Sequence, residues 1–488
     1  MNASLAESQQ PDSSAPPLVV DMDGTLIYSD SLLEGCMQLC RNQPFAVTGL
    51  PWWLLQGRAG FKANIANRVL LDARQLPYNQ PLIEHLREQR QHRRIVLCTA
   101  ADHRFAKAVA DHLDLFDEVI ATTDGVNLKA HNKAKALVER YGRGGFDYVG
   151  NDTPDLAVFA ESRRAIAVNP SAALKRRLGD VANREDGPTG NSESLSRAHW
   201  RALRPSQWVK NLLVYVPLLA VFNKAQAPAL IPATLAFLAF CMIASSVYLL
   251  NDLLDLRTDR LHPRKRSRPL AAGTLPILNG LVLIPLLLLG GFGIAATVSW
   301  PFVGVMSVYL LLTALYSFWL KRVALLDTLM LAGLYTLRIL AGAAAISVVP
   351  SVWLLSFSMF LFLSLALAKR HSELMELQAL ESADSIPGRE YRAGDLVVLI
   401  SQGSASGYSA VLVLALYINS DAVRAHYRHP EVIWLICPLV LYWINKLWLN
   451  SQRREIYDEP IVWAMRNRVS RGIALLSVLL LLVARWLP

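Results

Sequence analysis

Charge is scarce in this chain. Only 18% of its 488 residues are Asp, Glu, Lys or Arg, against 53% hydrophobic, and the deficit is uneven. Residues 1–200 have the balance of a soluble domain. From about Trp208 onward, long apolar stretches alternate with short polar loops, which marks the remainder as a polytopic membrane protein. Cysteine is also sparse: five residues, at 36, 40, 98, 241 and 437. Cys36 and Cys40 lie one helical turn apart with no second pair to complete a zinc site, so free thiols in a reducing compartment are expected. The polar opening, MNASLAESQQPDSSAPP, has neither a basic n-region nor an apolar h-region. No signal peptide is read there, and the soluble part is expected to stay in the cytoplasm. No basic patch is interleaved with aromatics, so the net charge of +10 suits cytoplasmic loops and anionic lipid head groups better than nucleic acid. No internal repeat is evident.

Nine membrane spans are expected, at roughly 208–223, 229–250, 276–297, 301–320, 323–346, 351–368, 405–420, 431–449 and 471–487. Basic residues concentrate after the even-numbered spans: Arg257 to Arg268 after the second, Lys321 and Arg322 after the fourth, Lys369 to Arg392 after the sixth, and Lys446 to Arg468 after the eighth. The odd-numbered loops carry only Lys224, Arg424 and Arg428. The even-numbered loops are therefore expected in the cytoplasm, with a bacterial inner membrane as the setting. Residues 1–16 read as a disordered leader, 17–175 as the soluble domain, 176–200 as a flexible linker rich in Gly, Ser, Asn and charge, and 201–488 as the membrane domain.

In the soluble part, Pro17-Leu-Val-Val-Asp21-Met-Asp23-Gly-Thr-Leu is a buried strand ending in two carboxylates. Ligands bind beyond the carboxyl ends of parallel strands, so Asp21 and Asp23 are expected to face a site. A second strand, Arg94 to Thr99, ends in a hydroxyl, and a third, Phe146 to Gly150, runs into Asn151-Asp152-Thr-Pro-Asp155. Helical patterns between them indicate a doubly wound α/β domain. DxDGT, the strand ending in Thr99, Lys133 and the GND-x-x-D segment, in that order, resemble the haloacid dehalogenase superfamily of phosphatases. The resemblance implies Asp21 as nucleophile and Asp23 as general acid and base. It also implies Thr99 and Lys133 as phosphoryl ligands, with Lys135 as alternative to Lys133, and a Mg²⁺ site using Asp21, Asp23 and the fourth motif. That motif departs from the usual pattern, because Asn151 stands where an aspartate is expected. Asn151, Asp152 and Asp155 all remain candidate metal ligands. Residues 31–90 have the length of a small helical cap. Within them, Leu50-Pro-Trp-Trp-Leu-Leu reads either as cap core or as a segment dipping into the membrane interface.

In the membrane part, Asn251-Asp252-Leu-Leu-Asp255-Leu-Arg-Thr-Asp259 closes an apolar run. The three carboxylates, spaced by three and four, are expected on one face of a helix. Three like charges there call for a cation, and Mg²⁺ holding a diphosphate supplies one. His262-Pro-Arg-Lys265-Arg-Ser-Arg268-Pro follows, a basic cluster suited to more phosphate, with His262 read as structural. This signature resembles the intramembrane prenyltransferases of the UbiA superfamily. Where that superfamily has a second acidic motif, this chain has Lys369-Arg370-His-Ser-Glu373 and Arg389-Glu-Tyr391-Arg-Ala-Gly-Asp395, a basic loop with Tyr391 in place of an acid. Together with Lys321 and Arg338, the pattern resembles the decaprenyl-phosphate phosphoribosyltransferase branch.

That resemblance implies phosphoribosyl pyrophosphate as donor, held through Mg²⁺ by Asp252, Asp255 and Asp259 beside Asn251, and a polyprenyl phosphate as acceptor. It makes Lys265, Arg268, Lys321, Arg338, Lys369, Arg370, Arg389, Tyr391 and Asp395 candidates for the phosphate-bearing groups. For Arg338, an intramembrane ion pair with Asp327 is the structural alternative. A soluble phosphatase fused to such a transferase implies a second step, removal of the 5-phosphate. The rivals are a prenyltransferase acting on an aromatic acceptor, a phosphatase domain with a separate role, and a lipid-binding scaffold. A homo-oligomer is compatible with any of them.

Overall fold

The computed structural model describes residues 15–123, 127–178, 184–188, 190, 193–221, 226–379, 386, 389–420, 423, 427–456 and 460–486. Most of the leader expected at 1–16 and part of the linker expected at 176–200 lie outside them. The chain forms two compact units, Met1–Leu203 with Tyr248–Ile284, and Arg204–Val247 with Pro285–Pro488.

The first unit is built on a six-stranded, wholly parallel sheet. Its strands are β1 (Leu18–Val20), β2 (Ile95–Asp102), β3 (Glu118–Thr122), β4 (Asp147–Gly150), β5 (Arg164–Ala167) and β6 (Arg184–Asp186), in the order β3-β2-β1-β4-β5-β6. Both faces are covered, so the central strands are apolar throughout rather than alternating. Leu18, Val20, Ile95, Leu97 and Val149 pack on one face. Val19, Val96, Cys98, Tyr148 and Ala165 pack on the other. The doubly wound α/β expectation is met.

One difference concerns the expected linker. Residues 184–186 pair with β5 from Ala165 to Ala167 as an edge strand, and Leu195–Ala202 is helical. Arg184, Glu185 and Asp186 are exposed, so their composition reads as loop while the backbone hydrogen bonds make a strand.

Between β1 and β2 lies the cap, with helices α1 (Ser31–Asn42), α2 (Leu50–Leu55) and α3 (Gly57–Ala66). Its own core is Cys36, Leu39, Trp53, Ile65, Val69 and Phe105. The two adjacent tryptophans separate: Trp53 is cap core, whereas Trp52 is exposed.

Residues 248–284 belong to this same unit. Here a long helix, Gln226–Leu254, ends and a short one, Leu256–Leu261, follows. Arg260 from the short helix makes a two-pronged ion pair with Glu34 of α1, at 2.5 and 3.1 Å. Gly273, at φ +73°, lies so close to Tyr28 that a Cβ would stand 2.4 Å from the Tyr28 Cβ.

The second unit is helical. Seven helices of the chain are long and apolar enough to cross a bilayer among the described residues, and an eighth span results if the bent pair Pro460–Arg466 and Arg468–Arg485 counts as one. The expected count of nine is not reached. The first expected span, 208–223, falls largely on Pro205–Val221, which has 3-10 geometry with Pro217 inside it. Proline removes a backbone donor, and a 3-10 helix seldom sustains a full span.

Candidate active sites

The carboxyl ends of β1, β2 and β4 are neighbours in the sheet, and the chain places its chemistry there. Asp21 follows β1 and is buried; its Oδ1 accepts from Lys133 Nζ at 2.6 Å. Lys133 stands on the helix His131–Tyr141 and also donates to Tyr148 Oη at 2.9 Å. Burial pushes the Asp21 carboxyl up to about 6, even though the Lys133 ammonium pulls it down. Asp23 accepts from the Ser31 backbone N–H and from Ser31 Oγ, both at 3.0 Å. Burial, then the nearby Asp30 and Asp21, hold its carboxyl well above the usual range. Thr99 is buried within β2, three residues short of its end at Asp102 and so not the closing residue expected, and its hydroxyl accepts from the Ala101 N–H at 3.1 Å. Lys135, the alternative to Lys133, is exposed and pairs with Glu139.

The fourth motif divides its tasks. Asp155 accepts from Tyr148 Oη at 2.8 Å and from the backbone N–H groups of Asn151 and Asp152 at 3.0 and 3.1 Å. Asp152 caps the turn through Thr153 N–H and accepts from Ser171 Oγ. The Asn151 amide oxygen accepts from Thr25 Oγ1 at 3.2 Å, and the amide lies against Gly24. Gly24 has φ +77°, and a Cβ there would meet Asn151 Nδ2 at 2.4 Å. The loop after Asp23 therefore needs glycine for both reasons.

Two functional candidates escaped the sequence reading. Tyr148 links Lys133 to Asp155. Lys62 of α3 reaches the Ala100 carbonyl at 2.5 Å, one residue beyond Thr99, and Asn127 Oδ1 at 3.0 Å. Tyr148 was discoverable, since strand alternation puts it on the face opposite Val149.

The acidic motif of the membrane part is interrupted at its middle carboxylate. The long helix stops at Leu254 and Asp255 takes φ −101°, ψ 12°. The Asp255 N–H still bonds to the Asn251 carbonyl and the Asp259 N–H to the Asp255 carbonyl, each at 2.9 Å. Arg41 of the cap lies at the break: it donates to the Leu254 carbonyl at 3.0 Å and pairs with Asp255 at 3.3 Å. Asp252 and Asp259, both buried, converge instead on Arg268, at 3.1 and 2.5 Å. Asn251 is half-buried and Lys265 exposed.

In the second unit, Asp327 opens the helix Leu326–Ala345 and is wholly buried. It accepts from Arg370 Nε at 2.6 Å, Arg389 Nη1 at 2.9 Å and Tyr391 Oη at 2.5 Å. Arg370 also pairs with Glu373 and donates to Tyr316 Oη at 3.1 Å. The ion pair suggested between Arg338 and Asp327 is not formed. Both lie on one helix eleven residues apart, about 16 Å along its axis. Arg338 instead donates to Asn211 Oδ1 at 3.0 Å and to the Leu334 carbonyl, among the rings of Phe240, Tyr309 and Tyr335. Lys321 and Lys369 are half-buried, and Asp395 caps a turn by accepting from the Arg392 N–H at 2.8 Å.

Both acidic sites suit a divalent cation. Among the described residues no three Asp, Glu, His or Cys side chains cluster to hold a metal. Mg²⁺, however, asks for only one or two carboxylates and completes its shell with phosphate and water. Asp21 is buried and Asp23 half-buried beside it, and the carboxyls of both are held above the usual range. Asp252 and Asp259 already converge on a cation, the Arg268 guanidinium.

A parallel α/β unit carried by a polytopic membrane protein is thus the class that the fold defines. The chain belongs to the UbiA prenyltransferase family, which residues 212–466 match, more than half its length. It is 36% identical to the uncharacterized protein y4nM of Sinorhizobium fredii over 462 residues, 93% of this chain and 88% of that one. It is 33% identical to nodulation protein NoeC of Azorhizobium caulinodans over 57% of this chain and 89% of the relative. With the decaprenyl-phosphate phosphoribosyltransferase of Mycolicibacterium smegmatis it shares 37% identity over 195 residues, which cover 39% of this chain and 61% of the relative.

Proposed function

We propose that this protein transfers 5-phosphoribose from phosphoribosyl pyrophosphate to a polyprenyl phosphate, and that its α/β domain, about 17–175, then removes the 5-phosphate. The observation that carries the reading is the pairing of two phosphate-directed sites in one compact unit: Asp21 with Lys133 at 2.6 Å, and Asp252 with Asp259 around Arg268. The likeness to a decaprenyl-phosphate phosphoribosyltransferase supports the donor and acceptor classes. The match to y4nM covers nearly the whole chain and so spans both parts of the fusion.

In the transfer step, an oxygen of the lipid phosphate attacks the anomeric carbon of the donor while the bond to pyrophosphate breaks. Asp252 and Asp259 are the carboxylates that would hold Mg²⁺, which supplies neutralisation of the diphosphate charge when bound. Arg268 stands beside them to meet the pyrophosphate.

In the second step, a carboxylate oxygen of Asp21 attacks the 5-phosphorus, and the bond from phosphorus to the ribose oxygen breaks. Asp23, whose carboxyl is held well above the usual range by desolvation and by Asp30 and Asp21, gives its proton to the departing oxygen. It then takes one from the water that hydrolyses the aspartyl phosphate, releasing inorganic phosphate. Lys133 and Thr99 hold the phosphoryl oxygens. Asp21 and the Asn151 amide oxygen are the assigned holders of Mg²⁺ here, and Asp155 positions the Asn151 loop. Both sites are assigned to the cytoplasmic side of a bacterial inner membrane.

The test is mass analysis of lipid extracts after incubating purified protein with Mg²⁺, polyprenyl phosphate and ribose-labelled phosphoribosyl pyrophosphate. The unmodified protein should give a pentose-lipid without its 5-phosphate, and Asp21→Asn a lipid that retains it. Label absent from the lipid would overturn the transfer reading. A retained phosphate in the unmodified protein would overturn the second step.

A further inference from the structure

We propose that the cap segment Phe45–Leu55 is a bilayer-docking element that brings the phosphatase site to a phosphomonoester borne on a lipid. The inference deepens the phosphatase reading and rests on it. The segment is a short apolar helix with two distinct faces. Trp53, 8% exposed, points into the cap core. Phe45, Trp52 and Leu55 are 89%, 69% and 80% exposed, and Leu54 shares that exposure. Single exposed apolar side chains need no explanation, but four on one short stretch, two of them aromatic, do.

Charge identifies the occupant. Between Glu34 and Asp72 there is no acidic residue, while Arg41, Arg58, Lys62 and Arg68 all fall there. Arg58 and Arg68 are exposed, and the Arg68 guanidinium lies 4.3 Å over the Trp53 ring. An apolar surface with an exposed tryptophan, in a segment free of acidic residues and with Arg58 and Arg68 exposed, matches an anionic lipid surface. A chain that carries its own membrane spans always has a bilayer within reach.

The segment is also wired to the chemistry. It passes through Gly57, at φ +83°, directly into α3, whose Lys62 lies beside the end of β2. Arg58, at the start of α3, lines an open groove with Lys129, Arg177, Thr153 and Pro154, so basic groups lead from the apolar face to the fourth-motif loop. A lipid phosphomonoester whose chain stays in the bilayer could present its head group along that groove.

The experiment uses the full chain in vesicles of phosphatidylcholine with about one third phosphatidylglycerol. A nitroxide placed through Leu55→Cys, in a Cys40→Ser background, reports depth by its relative accessibility to oxygen and to a water-soluble nickel chelate. Shielding from the chelate together with oxygen access is the expected result. Free access of the chelate would overturn docking, and so would spin–spin broadening, which would mean that a second copy covers the face. In parallel, Trp52→Ser/Leu55→Ser should slow phosphate release from a vesicle-borne phosphoryl lipid about tenfold, with release from a short water-soluble phosphomonoester unchanged. Equal loss on both substrates would reduce the segment to cap core. If the unmodified protein hydrolyses neither substrate, the phosphatase reading fails, and the depth measurement still decides the docking.

Discussion

Breaking the ion pair between Arg260 and Glu34 should loosen the acidic motif of the transferase. The two side chains are 8% and 5% exposed. They meet through two contacts, and Ser29 Oγ donates to the same Glu34 oxygen at 2.5 Å. Arg260 further donates to the Ala271 and Gln75 carbonyls, so it ties the helix after Asp255 to both the cap and its own loop. Removing one partner of a buried pair leaves an uncompensated charge and costs about 3–5 kcal/mol. The Ser29 hydroxyl remains to solvate Glu34, so Arg260→Ala should fall near the lower end, on the order of a hundredfold in local opening. Replacing both residues, as Glu34→Gln with Arg260→Ala, removes both charges together and should cost far less than the two single changes summed. The assay is hydrogen exchange of the amides at 256–262 in detergent-solubilised protein, for the two singles and the double. If the double equals the sum of the singles within about 0.5 kcal/mol, the two groups are not coupled and the argument fails. Asp259 precedes Arg260 directly, so the same variants should also raise the Mg²⁺ concentration needed for transfer.

Three further outcomes follow from the geometry. Ionised Asp21 is the attacking form, so phosphate release should be lost as pH falls through about 6; Lys133→Met removes the charge that lowers this value and should move the acid limb up by about 1–3 units, and an unmoved limb in a pH–rate profile would refute the assignment. Gly273→Ala places a Cβ 2.4 Å from Tyr28 Cβ and 2.6 Å from the Tyr28 carbonyl oxygen at a positive φ, which should cost about 1–3 kcal/mol; an unchanged denaturation midpoint would contradict it. Asp252→Asn should reduce transfer at least about a hundredfold while hydrolysis of a soluble phosphomonoester persists, and equal loss of both activities would show a folding defect instead.

The sequence was most legible where chemistry sits on regular elements. Asp21 and Asn151 directly follow two strands and Thr99 stands in a third, all with plain apolar runs and separations, and the parallel sheet makes those strands neighbours. Lys133 was legible for the same reason, as part of an ordered motif. Distant partners hid the remaining features. The break in the helix between Leu254 and Leu256 was one of them. The group that captures its last carbonyl is Arg41, more than two hundred residues earlier. The edge strand 184–186 was hidden because a strand that contributes backbone bonds and exposes all its side chains has no apolar pattern to read.

The buried cations of the second unit argue for a narrower transferase site than the basic residues alone suggest. Arg370, Arg389 and Tyr391 all bond to one carboxylate, Asp327, and Arg370 adds Glu373. A guanidinium already neutralised in this way can place a loop but has little field left for a phosphate, and withdrawing it would strand Asp327 in a dry setting. Tyr391, where the superfamily has an acid, therefore fits a part in holding the loop 389–395 to the start of the helix Leu326–Ala345. Arg338 is different in kind. The partners that hold it are an amide oxygen, a backbone carbonyl and aromatic faces, which fix its position without cancelling its charge. A positioned, uncancelled guanidinium is what an anionic donor or lipid phosphate needs. Under the proposed function, Arg338 is therefore a stronger candidate for a phosphate than Arg370 or Arg389 among the described residues of this unit, and the Asp327 cluster holds the loop to the helix.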